Sequence, residues 1–200
     1  MSEKELPLFP LNTVLFPGGP VSLRIFETRY LDMVSRCLRN DEGFGVVLIQ
    51  DGQETGEAQM HSIGTEAWIR DWNRLEDGLL GIVGIGEERF EILSMERQPD
   101  GLYIGRVRTR PGPPEKAVPG EYQHLAQIVR QLMPQLPSPW RLVEHKDNDA
   151  AWVGYRLAEV LPLNLAHKQQ LLELEDPEVL LGEIEPFIRL RQPEDEERLD

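Results

Sequence analysis

Only one cysteine, Cys37, occurs in the 200 residues. That excludes an internal disulfide framework and any Cys-x-x-Cys zinc or redox site. Lysine is nearly as scarce. Lys4, Lys116, Lys146 and Lys168 are the only four, and none follows a glycine. A phosphate-cradling loop ending in Gly-Lys-Ser/Thr is therefore missing, and with it the nucleotide grip of a P-loop ATPase. No apolar run approaches the ~20 residues that a membrane-spanning helix requires. Met1-Ser2-Glu3-Lys4-Glu5 lacks the charged-then-apolar layout of a secretory signal, so the expectation is a cytoplasmic chain without membrane association. Positive charge is in deficit. Against 35 Asp and Glu stand 21 Lys and Arg, a net of −14, which argues against binding nucleic acid or anionic lipid through the overall field.

Catalytic groupings are also missing. The six serines include none in a Gly-x-Ser-x-Gly elbow. His61, His124, His145 and His167 show no metal-ligand spacing, so neither metal nor cofactor is expected. Gly84-Ile85-Gly86 superficially matches a dinucleotide fingerprint, but Arg89 stands at the third glycine position and a strand pattern follows. A β-hairpin with a tight turn is the simpler reading. Cys37 falls on an apolar helix stripe, where a buried, inert thiol is expected.

What is present divides by periodicity. Residues 1–110 read as β-rich with one helix. Short strands are expected at Leu6–Phe9, Val14–Phe16, Val21–Ile25, Phe44–Ile49, Gly64–Trp72, Leu79–Ile85, Arg89–Leu93 and Leu102–Arg110. Asp77-Gly78 and Asp100-Gly101 are turn signals. The interrupting helix spans Glu27–Arg39, with Phe26, Tyr30, Val34 and Cys37 as its buried face. Residues 111–120 hold four prolines and form a stiff connector. Beyond it the period becomes helical. One helix lies within Glu121–Leu136, a second is capped by Asp149 and ended by Pro162, a third opens at Asn164, and a fourth opens at Asp176-Pro177 and runs through Leu190. The helical part covers 121–191, and an acidic tail at 192–200 is expected to fray. The fold class is α+β, strands first and helices last.

Three groups of residues could bind something. Arg106, Arg108 and Arg110, two apart on a strand, would share one face and could grip phosphates or an acidic peptide; the alternative is the solvated face of an edge strand. Trp68 and Trp72 share a strand side if the alternation continues that far, and could anchor a peptide or close a core. Trp140 sits in a Pro-rich turn.

Several stretches together resemble the Lon amino-terminal, substrate-binding domain family. Leu6-Pro-Leu-Phe-Pro-Leu-Asn-Thr-Val-Leu-Phe-Pro-Gly18 is similar to that family's opening strand and turn, and Ile25-Phe-Glu-Thr-Arg-Tyr30 to the start of its first helix. Gly64-Thr-Glu-Ala67, Gly86 through Arg89-Phe90, and Lys168-Gln-Gln-Leu-Leu-Glu173 resemble later motifs. The resemblance implies a β-rich PUA-like pseudobarrel subdomain followed by an all-helical one. It implies a free-standing member without ATPase or peptidase, recognising polypeptides or protein partners without catalysis and with no oligomeric state specified. Phe26, Arg29 and Tyr30 join Trp68, Trp72, Arg106 and Arg108 as candidate binding residues. Glu27, Arg29 and Arg89 are candidates for ion pairs that fix helix to strands. Two alternatives stand beside this reading, an RNA-binding PUA-like module using the three arginines and a small hydrolase with a site the sequence hides.

Overall fold

The computed structural model describes residues 2–52, 54 and 58–189. The expected acidic tail, and the end of the last helix at Leu190, lie outside them. Seven strands come first: β1 (Glu3–Leu11), β2 (Pro20–Ile25), β3 (Phe44–Gly52), β4 (Ala58–Met60), β5 (Ile63–Arg74), β6 (Leu80–Arg97) and β7 (Tyr103–Arg110). Helix α1 (Thr28–Asn40) separates β2 from β3. Helices α2 (Gln123–Leu132), α3 (Ala150–Val160), α4 (Leu165–Glu173) and α5 (Pro177–Arg189) follow the last strand. The fold is α+β, a largely antiparallel β-rich sheet followed by a helical region.

Pairing runs β1-β7-β6-β5-β3-β4, and β1 also pairs in parallel with β3. That extra ladder, from Leu8↔Gly45 to Leu11↔Leu48, joins the first strand to the fifth on the path and closes a ring of β1, β7, β6, β5 and β3. Closure removes the exposed edges those strands would otherwise present. Strand β7 therefore lies between β1 and β6 rather than at the edge that the arginine pattern suggested.

Four local expectations are corrected. Val14–Phe16 forms no strand; its side chains are buried in an irregular loop, so the apolar run reports burial alone. Gly84-Ile85-Gly86 is no hairpin turn, because Leu80–Arg97 is one continuous strand of 18 residues. A Cβ on Gly86 would lie 2.5 Å from the Phe16 carbonyl oxygen, so that glycine admits a crossing backbone. Phe26 does not join the buried face of α1; it is 59% exposed, while Tyr30, Met33, Val34 and Cys37 face the sheet. Finally, a bulge in β5 between Ile69 and Asp71 breaks its alternation, leaving Trp68 opposite Ile85 and Trp72 opposite Ile82, so the two tryptophans are not a simple same-side pair.

The helices form where their caps predict. The Asp149 carboxylate accepts from the Trp152 N–H at 2.7 Å, and the Asn164 side chain accepts from the His167 N–H at 2.8 Å. Helix α3 carries apolar residues all round and is buried along nearly its whole length. The helices share one apolar cluster with Val14, Phe16, Leu48, Ile63 and Ile85 from the strand half, so sheet and helices meet through packed core. A second cluster lies between α1 and the sheet, around Phe9, Tyr30, Phe44 and Ile82.

Candidate functional site

Where the two halves meet, the loop Phe16-Pro17-Gly18-Gly19 is held from both sides. On the sheet side, Gly18 N–H donates to the Gly86 carbonyl at 2.7 Å and Gly86 N–H donates to the Gly19 carbonyl at 2.9 Å. On the helix side, Arg156 Nη2 donates to the Pro17 carbonyl at 2.9 Å. Gly18 takes a positive φ of 73°, and a Cβ on Gly19 would lie 1.7 Å from Glu159 Oε1. The glycine pair thus lets the loop turn and lets a buried ion pair approach its backbone.

That ion pair is Arg156–Glu159, one helical turn apart on α3. Nε lies 2.7 Å from Oε2, and Nη2 donates to Oε1 at 3.0 Å. Both side chains are buried, and Lys168 Nζ caps the Glu159 carbonyl at 2.9 Å. The guanidinium lies over both the Trp152 and the Trp140 ring, 5.7 and 5.9 Å from their centroids. Burial pushes the Glu159 carboxyl up to about 7, against the opposing pull of Arg156 and Lys168. Burial lowers the pKa of Lys168, and Glu159 opposes the shift.

A second arginine ties the halves together further along the seam. Arg89, on β6, donates through Nη1 to the carbonyls of Leu172 and Leu174, at 2.7 and 2.8 Å, and through Nη2 to Pro111 at 2.9 Å. Its partners are carbonyls, in place of the ion pair expected from sequence. Gln169 adds a hydrogen bond from Nε2 to the Ile63 carbonyl at 3.0 Å.

Above the Arg156 clamp opens a cleft of about 530 Å³. The loop contributes Pro17 and Gly18, the sheet Arg70, Ile85, Gly86 and Glu87, and the connector Gly112, Pro113 and Glu115. The helical half contributes Leu142, Glu144, Lys146, Asp149, Ala151, Trp152 and Tyr155. Leu142 lies at the end of a short 3-10 turn, Ser138–Leu142, and is 45% exposed. The floor is thus aromatic and aliphatic, the rim charged, which is the lining of a recognition cleft. Among the described residues, no Ser, Thr, Cys or His lines it. Among the described residues, no group of three or more His, Cys, Asp or Glu could hold a metal ion.

The seven residues singled out from sequence lie elsewhere. Arg29 is buried and donates to the Gly101 carbonyl at 2.6 Å, with Glu27 at 2.8 Å. Tyr30 stacks on Phe9, with centroids 3.9 Å apart, and burial pushes its hydroxyl up to about 12. Phe26 and Trp72 are exposed. Trp68 lines a separate cleft of about 560 Å³ with Lys4, Arg36, Glu42 and Glu66. Arg106 is exposed, Arg108 is paired with Glu3 and Glu91, and Arg110 with Glu175, so carboxylates interrupt the cationic stripe. The structure does not bring these seven into one site.

Sequence reading missed Ile85, Leu142, Trp152, Tyr155 and the Arg156–Glu159 clamp. One signal was available. Arg156 and Glu159 are the only charges in the otherwise apolar helix AAWVGYRLAEV, and charges three apart on a buried helix mark a specific partner.

Known proteins share this architecture. The family model for the ATP-dependent protease La (LON) substrate-binding domain matches residues 5–188. The Lon protease of Phenylobacterium zucineum is 30% identical over 199 residues, covering 96% of this chain and 25% of that protein. Protein cereblon of Xenopus tropicalis is 25% identical over 111 residues, covering 55% of this chain and 25% of that protein. The chain therefore spans about a quarter of the length of these relatives. The crystal structure of a Lon N-terminal domain protein from Xanthomonas campestris superposes with a TM-score of 0.76 at 34% identity, covering 92% of this chain and 98% of that one. The N-terminal domain of the Mycobacterium avium complex Lon protease does so with a TM-score of 0.58 at 19% identity, a likeness of fold, covering 93% and 98%.

Proposed function

This chain belongs to the LON substrate-binding domain family, and on that footing we propose that it is a non-catalytic module that recognises a polypeptide or protein partner through the cleft between sheet and helices. The observation that carries the reading is the cleft itself, with buried Ile85, Trp152 and Tyr155 at its floor, exposed Leu142 at its mouth and charged residues around them. Apolar anchors seated in a pocket supply most of the energy of such contacts, and the rim supplies orientation. The division into a β-rich subdomain over 1–110 and a helical one over 121–191 belongs to the same proposal. The connector at 111–120 then serves as a wall of the site, through Gly112, Pro113 and Glu115.

The test titrates the full chain into a fluorescent, permanently unfolded reporter polypeptide and follows anisotropy. Saturable binding is expected, and Leu142→Glu should weaken it by about tenfold or more, since it puts a charge on an apolar anchor site. Leu142 is exposed enough for the fold to accept the change. Phe26→Ala, outside the cleft lining, should leave affinity within about twofold. No saturable binding would remove the proposed function; equal binding by Leu142→Glu would remove the proposed site.

A further inference from the structure

The cleft rim has a sign. Four carboxylates line it, Glu87, Glu115, Glu144 and Asp149, against two cations, Arg70 and Lys146. Both cations already face acids. Arg70 lies 2.5 Å from Glu87, and Lys146 lies 3.9 Å from Glu144. Glu115, exposed on the connector, makes no ion pair among the described residues, and Asp149 spends one oxygen on capping α3. Just outside the cleft, Lys116 is likewise engaged, by Glu178 at 2.8 Å. The mouth therefore presents unneutralised negative charge and no unclaimed cation among these groups.

The floor carries a second signature. Trp152 and Tyr155 are 5% and 3% exposed, both line the cleft, and both hold a polar atom without a hydrogen-bond partner, Nε1–H and Oη respectively. Both atoms are themselves buried, so the two rings offer the cleft apolar surface rather than hydrogen bonds. An apolar anchor therefore fits this floor, and a free carboxyl terminus beside it would bring a charge that meets the acidic rim.

We infer that the occupant of this cleft is an internal polypeptide segment with an apolar anchor flanked by lysine or arginine. The anchor lies over Leu142, Ile85 and the aromatic pair, and the flanking cations lie against Glu115 and Glu144. This rests on the polypeptide-binding reading and adds to it the class of segment bound. Opposite charge at the rim adds modest affinity and, more strongly, rejects like-charged segments.

The test uses three short peptides with blocked ends and one shared Leu-Phe-Leu centre, flanked by Lys, Gln or Glu, each titrated with the full chain by anisotropy. The Lys-flanked peptide is expected to bind about tenfold tighter than the Gln-flanked one, and the Glu-flanked peptide weaker than both by a similar factor. In the double variant Glu115→Gln, Glu144→Gln, both exposed positions, the spread between Lys and Glu flanks should fall below about threefold. Equal affinity for all three peptides would overturn the charge preference and leave polypeptide binding standing. A spread that persists in the double variant would also overturn it, because the preference would arise elsewhere on this acidic chain. Failure of even the Gln-flanked peptide to bind would overturn polypeptide binding, and the charge preference with it.

Discussion

At the residue scale, the Arg156–Glu159 pair is the most heavily constrained feature of the seam. It is buried, it touches the Pro17 carbonyl, and it sits where Gly19 leaves room for nothing else. Its carboxyl gives a pH signature. In the native chain Glu159 holds its proton up to about 7, against about 4.5 when unfolded, with Arg156 and Lys168 as the charges facing it. The native state therefore binds more protons than the unfolded state across that interval, and this group's contribution to stability is full below pH 4.5 and lost as pH rises through about 7. Urea midpoints compared between wild type and Glu159→Gln across that interval should show a shallower decline in the variant. An unchanged slope would mean that the carboxyl titrates as it does in the unfolded chain.

Gly19 supplies a companion prediction at the same scale. Gly19→Ala should cost about 1–3 kcal/mol, because the new methyl must displace a carboxylate that Arg156 holds in place. Gly112→Ala, with nothing within 4 Å, should change stability by less than about 0.5 kcal/mol. Thermal or urea unfolding of the two variants reads the difference directly. The sequence shows Pro17-Gly18 as a turn. It does not show that the next glycine is reserved for a side chain 140 residues away.

At the element scale, the features legible in the sequence were those with local causes. Asp149 and Asn164 cap their helices through their own side chains, and the Asp77-Gly78 and Asp100-Gly101 turns close with Gly78 N–H to Leu75 and Gly101 N–H to Gln98. Periodicity located the buried face of α1 from Tyr30 to Cys37. The elements misread had distant causes. Gly84 and Gly86 look like turn residues, yet β6 runs straight through them, because at Gly86 the Phe16 backbone crosses the strand. The bulges where β5 meets β6 come from the register of the two strands, which no local pattern carries. Arg106, Arg108 and Arg110 look like a free cationic stripe until Glu3, Glu91 and Glu175 arrive from β1, β6 and the segment after α4.

For the whole molecule, family and fold class were legible while the candidate site was not. Of the residues carrying the resemblance, Arg29, Tyr30 and Arg89 are buried and bind backbone carbonyls or stack on core rings, while Phe26 is exposed outside the cleft lining. The cleft instead draws its wall from the loop at Pro17, the sheet at Ile85, the connector at Pro113 and the helical half from Leu142 to Tyr155. Those stretches are separated in sequence, and each looks ordinary alone. Only closure of the β1–β3 ring and docking of α3 onto the glycine loop bring them to one place. The charge balance gains meaning at this scale too. A net of −14 argues against nucleic acid, and in the proposed function the acidic rim would make charge a term in partner choice.

The most direct test of the central claim is amide hydrogen exchange on the full chain with and without a saturating unfolded reporter polypeptide. Protection is expected in segments 85–87, 112–117 and 140–155, which surround the cleft, with little change in α1 or along β7. Protection confined to α1, β7 or the Trp68 cleft, with the 112–117 and 140–155 segments unchanged, would contradict it.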